Sequence, residues 1–147
     1  MNLLTHRFFT YFTDAHAKSL AEYAEELPCN ADTTLFEEGD TSDCLYVLLE
    51  GQVELTKRAQ DGTRIRLALI EAGDYFGEMG IISDKPRSTG ARTTTFSRVA
   101  KIPGSPLMRI LQEEPFVTLH LFRTILDHLR KSNDRYVAEV LKKGKVE

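Results

Sequence analysis

The sequence predicts a mainly β domain, a small antiparallel barrel or sandwich, with helices before and after it. Two observations carry this reading. Between residues 33 and 103, short apolar runs of strand length alternate with turn residues about every ten positions, the spacing of a small barrel or sandwich. On either side the apolar residues recur instead at helical spacing. The 147 residues suit one domain with one core, and 41% hydrophobic with 28% charged residues is the balance of a globular chain rather than a disordered one.

Residues 1–30 are expected to form N-terminal helices, with helical patterning over 3–27. Phe8, Phe9 and Phe12 make an aromatic cluster. Asp14 reads as the N-cap of a second helix with Leu20, Tyr23, Ala24 and Leu27 on one face, and Pro28 ends it. Residues 31–104 hold the strands. Leu35-Phe36 runs into Gly39-Asp40, Leu45–Leu49 into Gly51, Val53-Glu54-Leu55 towards Asp61-Gly62, and Ile65–Ile70 into Gly73-Asp74. Asp61-Gly62 is a strong hairpin signal, and Gly39, Gly51 and Gly73 read as turn formers rather than ligand contacts. Thr93, Thr94, Thr95, Phe96, Val99, Ala100 and Ile102 suit late strands.

Residues 105–147 return to helix. Ser105-Pro106 reads as a cap followed by the first helical position, and Leu107, Met108, Ile110 and Leu111 make a short amphipathic piece. Pro115 opens a long helix reaching 142. Along it Leu119, Phe122, Leu126, Leu129, Asn133, Tyr136 and Val140 are spaced 3, 4, 3, 4, 3, 4, an a/d seam with one polar member. That face either packs on the chain's own strands or pairs with a second copy, most simply in a parallel dimer.

Several function classes are set aside by composition. A net charge of −3 gives no nucleic-acid-coating surface. Lys142, Lys143 and Lys145, the one basic cluster, read as a solubilising tail. Cys29 and Cys44 make no CxxC, so a reduced, cytoplasmic setting is the simplest expectation. Met1–Thr10 lacks a long apolar run behind a basic cap, and no stretch approaches 18 apolar residues, so neither a signal peptide nor a membrane span is expected. His6, His16, His120 and His128 all fall on the helical segments, which disfavours a metal-dependent enzyme with ligands converging inside the strands. No Ser/His/Asp or Cys/His arrangement is legible. The expectation is a protein that is not an enzyme and carries no metal or cofactor.

The chemistry concentrates in Phe76-Gly77-Glu78-Met79-Gly80-Ile81-Ile82 and the following Ser83-Asp84-Lys85-Pro86-Arg87-Ser88-Thr89. The first seven residues predict one helical turn entered through glycine, whose free N–H groups and partial positive charge suit an anion. Arg87 adds a two-pronged contact to a phosphate. A carboxylate at Glu78 would repel a phosphate but suits a sugar hydroxyl, so the pair points to a nucleotide. The alternative is an Arg87–Glu78 surface salt bridge, worth about 0–1 kcal/mol.

FGEMGII followed by PRST resembles the phosphate-binding cassette of the cyclic-nucleotide-binding domain family, the family of the catabolite activator protein and the regulatory subunits of cyclic-AMP-dependent kinase. The upstream LFEEGDTSDCLYVLLEGQVEL is similar to the family's other signature. The resemblance spans essentially the whole chain and implies an eight-stranded antiparallel β-roll (a double-stranded β-helix, or jelly roll) with N-terminal helices and a long C-terminal helix, the cassette lying at 76–89. It implies that Glu78 binds the ribose 2′-hydroxyl and Arg87 the cyclic phosphate. Phe76, Gly77, Met79, Gly80 and Pro86 complete the cassette, with Gly77 and Gly80 where backbone approaches the ligand and Ser88 on the phosphate. Thr89, where alanine is usual, and Gly90 depart from the pattern, as do Phe36 and Ser42 in the first signature. Asn133 has three readings: a register-fixing polar residue in the seam, a solvated one, or, with Ser132, the family's base-capping position. Arg92 and Arg98 read as solvated strand charges.

The function implied is a sensor for a 3′,5′-cyclic nucleotide, cyclic AMP favoured over cyclic GMP because no threonine directly follows Arg87. Occupancy would pass through the C-terminal helix to a homodimer partner or to an effector. The family's transcription factors carry a DNA reader after that helix. This chain stops at Glu147, so DNA binding by it is not expected; it is either a free-standing sensor or part of a longer protein whose effector follows. The competing class is a module of the same fold used for assembly without ligand.

Overall fold

The computed structural model describes residues 2–144, apart from the side chains of His128, Ser132 and Lys143. Lys145 of the basic tail lies outside the described residues. Eight strands form two four-stranded antiparallel sheets. The first, in the order β1-β8-β3-β6, joins Glu25–Cys29 (β1), Ser97–Pro103 (β8), Cys44–Glu50 (β3) and Tyr75–Phe76 (β6). The second, β2-β7-β4-β5, joins Thr34–Phe36 (β2), Gly90–Thr93 (β7), Gln52–Arg58 (β4) and Arg64–Glu71 (β5). This is the β-roll that the cassette resemblance implied.

β3 explains why the run before Gly51 is continuously apolar rather than alternating. It is buried on both faces, and such strands read as unbroken hydrophobic runs. Leu45, Val47 and Leu49 face the helices, packing with Phe8, Phe9, Leu20, Leu107, Val117 and Leu121. Tyr46 and Leu48 face into the roll, with Val53, Phe76 and Val99. The N-terminal aromatic cluster is real: Phe8 meets Phe9 and Tyr75 edge-on at centroid distances of 5.0 and 5.1 Å. The Asp61-Gly62 hairpin joins β4 and β5, with Gly62 at φ +88°.

The N-terminal segment is less helical than its spacing predicts. Leu3–Thr5 and Arg7–Phe9 are single 3₁₀ turns, and α1 covers only Asp14–Tyr23. Its N-cap is Thr13, whose hydroxyl accepts from His16 N–H at 3.1 Å; Asp14 is the first helical residue, where its charge suits the helix dipole. Ala24 turns extended and ends the helix. Leu27 and Pro28 therefore sit in β1, not on a helix. Pro28 is tolerated there because β1 is an edge strand paired only with β8. The next helix also starts earlier than Ser105-Pro106 suggested. α3 covers Gly104–Glu113 with Pro103 as N-cap, and Pro106 falls within the first turn, where no helical N–H partner is lost. α4 begins at Pro115, as expected, and runs to Gly144.

α4 is anchored by Val117 and Leu121, both buried. The predicted seam is not covered by the roll: Leu119, Phe122, Leu126, Leu129, Tyr136 and Val140 are all exposed, Phe122 at 57%. In this structure that face does not pack on the chain's own strands. None of the helices among the described residues is long and apolar enough to cross a membrane. Cys29 and Cys44 are free and buried.

Candidate functional site

β6 ends at Phe76 and the chain turns through Gly77 into α2, Glu78–Ser83. Gly77 has φ +86°, a left-handed conformation glycine adopts without a Cβ penalty. A Cβ there would also lie 2.7 Å from Nη1 of Arg87. No side chain caps the first turn of α2. Gly80 answers to a different demand, because its Cβ would lie 2.0 Å from Ser42 Oγ and 2.8 Å from the Lys85 carbonyl. It lets the descending loop pack on the helix. Asp84 ends α2 in the left-handed region, which short polar side chains visit.

The backbone at Arg87 is fixed twice by the loop between β2 and β3. Arg87 N–H donates to the Asp40 carbonyl at 2.8 Å, and Gly39 N–H donates back to the Arg87 carbonyl at 2.8 Å. Lys57 Nζ adds a bond to the Ser88 carbonyl at 3.0 Å. The side chain turns inward. Nη1 donates to the Gly77 carbonyl at 2.8 Å and Nη2 to the Cys44 carbonyl, while the guanidinium lies 4.2 Å over the Phe36 ring. Nε is buried with no hydrogen-bond partner among the described residues. Burial raises the Cys44 thiol above its ordinary range, so the sulfur beside this cation is a neutral thiol.

Arg87 is 6% exposed and Glu78 3%, so the surface-salt-bridge reading does not describe them. Both line one cavity of about 270 Å³, near the lower end for small-ligand clefts. Phe76, Gly77, Met79, Gly80, Ser88 and Thr89 line it too. Pro86 is exposed and outside it, and Asn133 is exposed on α4 without lining it. Ser132 is named by the sequence, but its side chain lies outside those described.

Sequence reasoning missed four kinds of wall. Phe36, noted only as a departure, supplies the ring beneath the guanidinium. Leu67 and Leu69 of β5 form an apolar wall, and Asp74 after β5 joins them while ion-paired with Arg7 at 2.7 Å. Lys131 and Arg135 of α4 reach the cavity from the helix side. Their signal was available, since positions four apart share a helix face. Arg92 is likewise not a simple solvated charge, since it pairs with Glu54 at 2.6 Å. Among the described residues no three His, Cys, Asp or Glu side chains gather as a metal site.

The chain resembles known proteins in sequence and fold. A regulator from Mycobacterium tuberculosis, named a CRP-like cAMP-activated global transcriptional regulator, is 32% identical over 69% of this chain and 45% of its own length. A cAMP-dependent protein kinase regulatory subunit from Yarrowia lipolytica is 31% identical over 69% of this chain and 23% of its own. The chain thus spans less than half the length of either relative. A cyclic nucleotide-binding domain from Methylobacillus flagellatus superposes with a TM-score of 0.76 at 25% identity, over 87% of this chain and 74% of that one. Residues 26–114, which hold all of the roll but its first residue, the cassette and α3, match the family described as the cyclic nucleotide-binding domain. The chain belongs to the cyclic nucleotide-binding domain family.

Proposed function

We propose that this chain is a sensor that reversibly binds a 3′,5′-cyclic nucleotide between Glu78 and Arg87. The observation that carries the reading is one cavity walled by a buried cation with an unpartnered Nε and by a buried carboxylate from the same short cassette. The phosphate takes the guanidinium and the uncapped N–H groups of α2, which strengthen one another in a partly dry pocket. Glu78 accepts from the ribose 2′-hydroxyl, away from the phosphate. Phe76, Gly77, Met79, Gly80, Ser88 and Thr89 shape the pocket, and Leu67 and Leu69 give the base an apolar wall. The residue directly after Arg87 is Ser88 rather than threonine, the feature behind the cyclic AMP expectation, and cyclic AMP is the nucleotide in the relatives' names. Ser88, however, lies at the phosphate end and says little about the base.

Output follows from α4. The helix is tied to the core near its start, presents Lys131 and Arg135 to the cavity, and leaves its seam open to a partner. Ligand therefore stabilises one placement of α4, by no more than its differential affinity for the two placements. The exposed seam supports a homodimer or docking on an effector. Thermal melting with cyclic AMP, cyclic GMP and cyclic di-GMP tests the binding. A ligand at a hundred times Kd adds about 2.7 kcal/mol of stability, read as a rise in Tm. Unchanged melting with all three ligands leaves the assembly module as the reading of this fold.

A further inference from the structure

We infer that α4 selects guanine over adenine, through Lys131 and Arg135. The inference rests on reading the cavity as a cyclic-nucleotide site. Among the described residues, two groups of α4 reach the cavity, and both are donors only: an ammonium and a guanidinium have N–H groups and no lone pair to offer. The edge of guanine presents two adjacent acceptors, O6 and N7, and arginine or lysine is the side chain that matches them. Adenine presents N7 beside an N6 amino group, which needs an acceptor, the role that asparagine or glutamine fills. Asn133, the amide that could serve adenine, is exposed and does not line the cavity.

Among the described residues, the remaining side-chain acceptors of the cavity are engaged or positioned elsewhere. Asp74 is held by Arg7 at 2.7 Å, Glu78 is the ribose group, and Ser88 and Thr89 adjoin the phosphate-binding Arg87. Placing adenine against α4 would set its N6–H₂ donors against two cations, leaving an unmatched polar group in a partly closed site. Guanine places both acceptors against two cations. The same cations give the helix a contact with the ligand that exists only when the base is present, so the base identity that binds is also the one that holds α4.

The test is calorimetric titration of the full chain with cyclic GMP, cyclic AMP and cyclic IMP. Cyclic IMP keeps O6 and N7 but lacks the guanine 2-amino group. The expected result is that cyclic GMP and cyclic IMP bind similarly, about tenfold or more tighter than cyclic AMP. In the double variant Lys131→Met and Arg135→Met, which keeps the apolar stems and removes the donors, the preference disappears because cyclic GMP and cyclic IMP weaken by about tenfold or more, down to the cyclic AMP affinity. Circular dichroism confirms that the exposed helix positions leave the fold intact. Equal or tighter binding of cyclic AMP by the native chain overturns the inference while leaving the cyclic-nucleotide site standing. So does equal weakening of all three ligands in the double variant, which would place the two cations on the phosphate. Absence of binding by all three nucleotides sinks the site itself.

Discussion

Two buried charges in this molecule, Glu54 and Arg87, differ in what surrounds them. Glu54, 4% exposed on the second sheet, is complete within the chain. It accepts from Arg92 Nη2 at 2.6 Å and Nε at 3.1 Å, and from Arg66 Nε and Nη2, both at 2.9 Å. Arg87 is buried as deeply but is held by two carbonyls and an aromatic face, with Nε left without a partner, and it borders a cavity. Burial alone therefore does not mark a binding residue. A charge satisfied from inside the chain holds the fold, and on the function proposed above a charge left short beside an open volume is the one a ligand would complete.

Substitutions should separate the two cleanly. If the cavity binds a cyclic nucleotide as proposed, Arg87→Ala leaves the phosphate charge poorly compensated, costing about 3–5 kcal/mol of binding, more than a hundredfold in Kd by calorimetry. Glu78→Gln keeps the shape but weakens the hydrogen bond to the sugar, reducing affinity about tenfold at about 1.5 kcal/mol. Retention of native affinity in either variant would break the comparison on the ligand side. Glu54→Gln should instead cost about 1–2 kcal/mol of folding stability, read by urea unfolding, with ligand affinity unchanged.

The Glu54 effect carries a pH signature. Hydrogen bonds from Arg92 first, then from Arg66, hold its carboxyl below the ordinary value of 4.5, against the opposing effect of burial. A carboxyl depressed in the fold stabilises fully above its unfolded value, and the contribution is lost as pH falls through the folded value. The stability gap between native chain and Glu54→Gln should hold at neutral pH and shrink below about pH 4.5. A gap that persists undiminished into acid would show that the substitution acts through packing instead. The smallest expected effect is at Gly77. Alanine there should cost about 1 kcal/mol from the left-handed backbone and displace the guanidinium it crowds, lowering affinity more than stability.

The cassette was legible because its demands are local. A left-handed glycine, a short helix and an arginine nine residues after the glutamate all lie within one stretch of sequence, so Glu78 and Arg87 stood out locally, and the family resemblance supplied the roles expected of them. The hairpin at Asp61-Gly62 and the start of α4 at Pro115 were legible for the same reason. What failed was settled by distant contacts. Leu27 and Pro28 continue a helical pattern, but pairing with β8 draws them into an edge strand. Phe36 of β2 and Lys131 and Arg135 of α4 meet only when the chain folds; the four-residue spacing of the two cations shows that they share a helix face, but nothing local shows that the face meets the cavity. The seam of α4 lay between: its period was readable, and its exposure was not.

The most direct measurement is the rise in Tm at saturating cyclic nucleotide in the native chain, Glu54→Gln and Arg87→Ala, compared side by side. The account predicts that Glu54→Gln melts lower but gains the same increment from ligand as the native chain, while Arg87→Ala gains none. A full ligand increment in folded Arg87→Ala, or its loss in Glu54→Gln, would contradict it.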